Sequence, residues 1–239
     1  MRIQEAADGV FAVQGQSVNW SIIRSGHQLV LVDSGYPGDA SEVLESLQQL
    51  GGVEKLQAIL VTHGHIDHIG GIPAVLERRG VPVLASPAEL GNVRREYRQQ
   101  ASVATVTLNL WRPGALAWTR EILGKGAARD AGVPQAEAFA AQLPGGLVAV
   151  PSAGHTSGHT AYFLPEQRVL LTGDALVSGH PLRREDGPQL LPGFFHHDKA
   201  ALPGGLEALA SVEADAIVPG HGPVLQMNPA QAVAAVRGR

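Results

Sequence analysis

At 239 residues with 44% hydrophobic content, the chain is long enough to bury a substantial core, and a single domain is the expected organisation. Eighteen basic against 22 acidic residues give a formal charge of −4, which argues against a polyanionic partner such as nucleic acid. Cysteine is absent, so disulfides and thiolate metal ligands are excluded and a cytoplasmic setting is expected.

In chain order, Met1-Arg-Ile-Gln-Glu-Ala-Ala-Asp8 lacks the apolar stretch of a signal peptide, and no later run approaches the roughly 18 apolar residues of a membrane span. Alternating or β-branched runs at Val10 to Gln14, Val18 to Arg24 and Gln28 to Asp33 predict an opening antiparallel meander. Asp39-Ala-Ser-Glu42 reads as a capping box that starts a helix carrying Val43, Leu44, Leu47 and Leu50, with Gly51-Gly52 as its stop. A strand over Gln57 to Thr62, a helix over Gly71 to Arg79 and a strand over Val81 to Ala85 follow. The second half repeats the theme, with strands at Leu147 to Val150, Ala161 to Leu164 and Val169 to Thr172. A helix carrying Leu202, Leu206 and Leu209 and a strand at Ala216 to Val218 complete it.

The residues with chemistry sit at strand ends. His63-Gly-His-Ile-Asp-His68 places three imidazoles and a carboxylate within six positions directly after an apolar run. Neutral imidazole and carboxylate hold zinc and similar divalent cations, and a strand that fixes the start of the loop makes such donors converge. Three further donors share one grammar of short strand, small residue or glycine, then donor. They are His155 after Leu147-Val-Ala-Val150, Asp174 in Leu170-Leu-Thr-Gly-Asp174, and His221 in Ile217-Val-Pro-Gly-His221. Glycine lets the backbone turn sharply and approach a bound ion closely.

With Asp33 in Leu31-Val-Asp-Ser-Gly35 these motifs run in the order His63, His65, Asp67 and His68, then His155, Asp174 and His221, and in this the chain resembles the metallo-β-lactamase fold superfamily over nearly its whole length. The resemblance implies an α/β fold, a four-layer αββα sandwich with the donors gathered at one sheet edge. It also implies two divalent metal ions, zinc above all, with iron or manganese as alternatives. His63, His65 and His155 would hold one ion and Asp67, His68 and His221 the second, with Asp174 bridging both. Coordination lowers the pKa of bound water to about 7, so a bridging hydroxide would serve as nucleophile without a serine or cysteine. Asp67 is the candidate proton carrier, and Asp33 is expected to fix the metal loop by hydrogen bonds. His159 is expected in a supporting role, and His27, His180, His196 and His197 read as ordinary histidines, with the last two able to line the site mouth beside Phe194 and Phe195.

Residues 87–143 fit no simple strand and helix alternation: Pro87 to Gln100 is polar and arginine-rich, and Val103 to Leu123 is apolar with Trp111 and Trp118. In the superfamily this stretch often lies over the active site, so a helical lid is expected; an amphipathic helical pair packed on the core is the plainer alternative. Gly154-His-Thr-Ser-Gly158 has Thr156 where a nucleophile elbow needs serine, which discards a serine hydrolase. Lack of cysteine and the presence of Asp174 separate the chain from β-lactamases of this fold, and only 18 residues follow His221, too few for the helical domain of a full-length glyoxalase II. The resemblance therefore implies a hydrolase of the glyoxalase II-like and lactonase-like type, cleaving a thioester, ester or lactone of a small acyl compound. The rivals are a mononuclear iron sulfur (persulfide) dioxygenase and a phosphodiesterase or RNA-processing nuclease. The partner expected is a small molecule rather than nucleic acid or a membrane, and a homodimer is compatible with the sequence.

Overall fold

A computed structural model describes residues 1–129, 132–183 and 185–238, so Asp130 and Ala131 of the 87–143 segment and the last residue lie outside the described residues. The first sheet opens with β1 (Arg2–Ala7), β2 (Val10–Gln14), β3 (Asn19–Ser25) and β4 (Gln28–Val32), an antiparallel meander. Helix α1 (Ala40–Gln49) crosses to β5 (Leu56–Leu60), which pairs parallel with β4. After the short α2 (Ile66–Ile69) and α3 (Ile72–Arg78), β6 (Val83–Ala85) adds a further parallel strand. Then come α4 (Leu90–Arg94), α5 (Val103–Leu108), α6 (Ala115–Gly124) and the two-residue edge strand β7 (Glu137–Ala138). The second sheet holds β8 (Val148–Pro151), β9 (Thr160–Leu164) and β10 (Val169–Gly173), with α7 (Leu202–Ala210), β11 (Ala216–Pro219) and α8 (Pro229–Arg237) closing the chain. Its order is β11-β10-β9-β8, and β10 and β11 are parallel.

The two-residue period of the strands divides the core into three apolar layers. In β3 and β4, Ile22, Leu29 and Leu31 pack outward with Val43 and Leu47 of α1 and Ile72 and Val75 of α3. Their neighbours Ile23, Val30 and Val32 turn inward against Tyr162, Leu164, Val169 and Leu171 of the second sheet. On the far side Leu170 and Ile217 meet Leu206 and Leu209 of α7 and Val233 of α8. Helix, sheet, sheet, helix is the four-layer αββα sandwich.

This topology sets the site. Strands β4 and β5 run parallel, as do β10 and β11, and β8 shares the direction of β10 because β9 is antiparallel to both. Each donor named above follows the C-terminal end of one of these five strands, so all of them gather at one edge of the sandwich. The start of α1 differs from its reading as a capping box. Asp39 has helical dihedrals and gives α1 no side-chain cap; it closes a 3₁₀ turn, accepting from the Tyr36 amide at 3.0 Å and from Lys125 Nζ at 2.6 Å. Pro37 fixes that tighter turn one step earlier, and the carboxylate is drawn away to a cation from a distant segment.

Candidate metal centre

The end of β5 delivers His63 and His65 as loop residues, and α2 then carries Asp67 and His68. These donors, with His155, Asp174 and His221, are buried except for Asp67, which is partly exposed. They form two groups, His63, His65, His155 and Asp174 in one and Asp67, His68 and His221 in the other, each with its ligand atoms within 4.8 Å of one another. The Asp174 carboxylate joins the groups: Oδ2 lies 3.4 Å from His155 Nε2 and 3.3 Å from His221 Nε2, and Oδ1 lies 3.3 Å from His68 Nε2. Asp67 Oδ2 is 3.6 Å from His221 Nε2 and 3.9 Å from His68 Nε2. Nitrogen and oxygen ligands about 2.0–2.2 Å from a tetrahedral ion stand about 3.3–3.6 Å apart, so most of these spacings are those of a coordination shell.

Each imidazole is oriented by its far nitrogen. His63 Nδ1 donates to Thr62 Oγ1 at 3.1 Å, His68 Nδ1 to Asp33 Oδ2 at 2.8 Å, His221 Nδ1 to the Ser17 carbonyl at 2.7 Å and His65 Nε2 to the Gln99 carbonyl at 2.6 Å. His196 Nε2 donates to the Leu191 carbonyl, which leaves its Nδ1 to accept from His155 Nδ1 at 3.4 Å. The inward nitrogens of His63, His65 and His155 are thereby fixed as lone-pair donors, the arrangement by which outer partners set a metal ligand's tautomer. His65 Nδ1 and His155 Nε2 consequently face each other at 3.0 Å with lone pair against lone pair. Among the described residues, His63 Nε2, His68 Nε2 and Asp174 Oδ1 are buried with no hydrogen-bond partner. Facing lone pairs and buried orphaned acceptors are costly alone, and a shared divalent cation relieves both. The residues present fit the metal.

Ionisation follows the same geometry. Burial, with the neighbouring imidazoles, pushes His63 and His155 well below the ordinary histidine pKa, so both are neutral and ready to ligate. Burial acts downward on His68 as well, but Asp174, Asp33 and Asp67 outweigh it and hold this imidazole well above its usual value. For Asp174, burial acts upward and is overcome by His221 and His68, which keep the carboxyl ionised.

Asp33 has φ 61°, a strained left-handed conformation for a residue other than glycine. Its carboxylate accepts from the Thr62 amide at 2.9 Å and the Thr62 hydroxyl at 2.7 Å besides His68, so one side chain ties the end of β4 to the start of the metal loop. His159 is bound on both nitrogens, Nδ1 to Ser152 Oγ at 2.8 Å and Nε2 to the Asp174 amide at 3.1 Å. His197 touches the site only through its amide, which donates to the His155 carbonyl, and His27 is exposed. His180, read from sequence as ordinary, lines the chamber at the donors, its ring centroid 5.3 Å from that of His221.

Two residues of the site had not been singled out. Tyr36 is 3% exposed and lines the chamber with Asp67, Asp174 and His221. Burial, then Asp67, Asp174 and Asp39, push its phenol well above the usual value, so it stays a proton-bearing donor. Its position directly after Asp33-Ser-Gly35 was the available signal. Glu89 is wholly buried: Oε1 accepts from the Gly64 amide at 2.8 Å and Asn92 Nδ2 at 2.6 Å, and Oε2 from Thr156 Oγ1 at 2.8 Å and the Gly158 amide at 3.0 Å. It thus staples the loop of His63 and His65 to the loop of His155. Gly158 permits this, since a Cβ there would lie 2.3 Å from the Glu89 amide nitrogen. Burial raises the Glu89 pKa and the four donors oppose that, being met in full only by the carboxylate. A lone glutamate in Pro87-Ala-Glu-Leu90 carried no sequence signal.

The chamber above the donors is small, about 70 Å³, walled by Trp118, Phe195, Ile66 and Ile122. A larger cleft of about 740 Å³ beside Trp111, Arg112 and Arg183 contains none of the donors, so ligand chemistry rather than size locates the site.

The strand order, the layers and the donor sequence define a member of the metallo-beta-lactamase superfamily, whose sequence model matches residues 13–221, and the chain belongs to that family. Among individual proteins, it is 29% identical to one described as "Probable metallo-hydrolase YflN" of Bacillus subtilis over 238 residues, covering 91% of this chain and 85% of that one. It is 31% identical to the hydroxyacylglutathione hydrolase of Ectopseudomonas mendocina over 180 residues, 74% of this chain and 54% of the relative. Among solved structures, a Cronobacter sakazakii metallo-β-lactamase superposes with a TM-score of 0.69 at 18% identity, covering 100% of this chain and 92% of that chain. A family protein of Thermus thermophilus gives 0.64 at 22% identity, over 97% and 79%. At these identities the structural likeness concerns the fold.

Proposed function

We propose that this chain is a dinuclear metal-dependent hydrolase that adds water across the acyl bond of a thioester, ester or lactone, releasing the acid and a thiol or alcohol. The observation that carries the reading is the pair of donor groups joined by Asp174. Asp67, His68 and His221 form a second converging set beyond the donors one iron needs, which favours two metals and hydrolysis over a mononuclear iron dioxygenase. Relationship to hydroxyacylglutathione hydrolases supports the thioester choice. His63, His65 and His155 would hold one ion, Asp67, His68 and His221 the other, and Asp174 both; zinc suits this imidazole and carboxylate set. Bound divalent ions lower the pKa of water toward neutrality and polarise a carbonyl oxygen.

The chain's own residues do the rest. Asp67, the partly exposed carboxylate of the set, is placed to take the proton of the attacking water and pass it to the leaving group. Tyr36, kept protonated among carboxylates, is placed to donate a hydrogen bond to the oxygen that gains charge. Trp118, Phe195 and His180 stack with ring centroids 5.6–5.8 Å apart and keep bulk water from the chamber. The proposed substrate is a small molecule in the cytoplasm rather than nucleic acid.

Metal analysis of protein purified without added metal, followed by a panel of thioesters, lactones and phosphodiesters on zinc-, iron- and manganese-loaded protein, tests this. Two ions per chain with thioester or ester turnover is expected. One iron per chain with oxygen consumption on glutathione persulfide overturns the reading, as does turnover confined to phosphodiesters. Asp67→Ala is expected to stay folded and to lose a factor of about 10² or more in kcat; unchanged turnover refutes its role.

A further inference from the structure

Helices α5 and α6 flank a mainly apolar trough of about 450 Å³ beside the metal chamber, walled by Val103, Val106, Leu110, Ile122 and Leu123, with Arg95, Arg98 and Arg129 also on its wall. Trough and chamber share Ile66, Val106 and Ile122, so they lie directly against one another. Size separates their tasks. The trough, about 450 Å³ against about 70 Å³, has several times the room of the chamber. A scissile carbonyl fills the first, and whatever the acyl group carries beyond it must enter the second.

The trough's chemistry selects the occupant. Arg95 contributes to the wall while its guanidinium is bonded to the carbonyls of Gly64 and Asn92, so its aliphatic stem is what the trough meets. On the trough's wall Val103 and Leu123 are exposed, to 83% and 55%. Large apolar side chains held at the mouth of a space that lies against a hydrolytic site suit an apolar ligand that enters and leaves.

We propose that the trough binds the acyl chain of the substrate, an unbranched apolar chain of medium length whose ester or thioester carbonyl lies in the chamber. This rests on the hydrolase reading and adds the substrate's class to it. Each methylene that leaves water for the trough is then worth about a three- to fourfold gain in kcat/KM.

The test is a series of acetyl, butyryl, hexanoyl, octanoyl and decanoyl esters on the zinc-loaded full chain, with calorimetric titration of decanoate against acetate as a readout independent of turnover. Rising kcat/KM along the series and at least tenfold tighter binding of decanoate are expected. Leu123→Glu, at a half-exposed position, and Thr107→Trp, which fills the trough, should each lower the decanoyl to acetyl ratio of kcat/KM at least tenfold. A flat or falling series, or a ratio indifferent to both variants, overturns the proposal while leaving the hydrolase reading intact. Light scattering that shows a dimer dissolved by Leu123→Glu assigns the apolar mouth to a second copy and also overturns it. If neither the esters nor the matching thioesters of any length are turned over, the hydrolase reading fails instead, and equal decanoate and acetate binding then overturns the trough as well.

Discussion

Replacing Glu89 by glutamine tests whether the site depends on a residue that touches no metal. The change is isosteric, yet it turns one carboxylate oxygen into an NH₂ group facing two donors. If that group lies toward the second loop, the Thr156 hydroxyl can rotate to accept, but the Gly158 amide cannot. If it lies toward the first, the Gly64 amide is orphaned. Either way one buried N–H loses its acceptor, at about 1–3 kcal/mol, and the remaining bonds lose their charge-assisted share, about 1 kcal/mol more. Relief of the buried charge offsets part of this. The net expectation is a destabilisation of about 1–3 kcal/mol, a sizeable fraction of the 5–15 kcal/mol typical of a folded domain. Both loops lose their common anchor, so metal affinity should fall about 10- to 100-fold, as for other residues that orient ligands. Urea unfolding of the metal-free protein measures the first effect and competition with a chromogenic chelator the second. A variant within about 0.5 kcal/mol of the parent in stability and within about twofold in affinity would show that the four hydrogen bonds do not hold the loops.

Two further outcomes follow from the geometry. A Cβ at Gly220 would lie 2.3 Å from Asp174 Oδ1 and 2.9 Å from His68 Cε1. Gly220→Ala should therefore abolish binding at the joint of the two donor groups while the chain stays folded; equilibrium dialysis that still finds two zinc ions per chain contradicts it. At the exposed edge, the Arg168 guanidinium meets Asp215 at 2.7 Å and holds its carboxyl below the usual range. Any stability from this pair is present above the unfolded-state carboxylate pKa and is lost as pH falls through the depressed one. Solvent screening makes it small, so Arg168→Gln should raise the Asp215 pKa seen by NMR and leave Tm unmoved; an unchanged Asp215 titration refutes the pairing.

The sequence exposed the donors because strand, turn and donor follow one another within a few residues. His63 to His68, His155, Asp174 and His221 each stand where a strand must stop, and parallel strands stop at a common edge. Glu89 escaped notice because its significance lies in partners 25 and 69 residues away, Gly64 and Gly158. Tyr36 and His180 escaped for a related reason: what makes them notable is the carboxylates and rings that other segments bring against them. Among elements, β1 has no fully buried residue and so no clear alternation, and α8 is read poorly because its alanines blur the apolar stripe. At the start of α8 the Asn228 side chain accepts from the Gln231 amide at 3.0 Å. The capping reading at Asp39 failed because a cation from α6's end outcompeted a local amide for its carboxylate.

The donors come from both halves of the chain, His63 to His68 from the first sheet and His155, Asp174 and His221 from the second. A metal bound there would be a clasp between two sheets that otherwise meet through packed side chains and a few hydrogen bonds, such as Thr160 N–H to the Thr62 carbonyl and Asn19 N–H to the Gly220 carbonyl. Free metal concentration thus enters the folding equilibrium, adding RT ln(1 + [metal]/Kd) to stability. A chelator should then act on this chain as a mild denaturant, lowering Tm as it withdraws the metal.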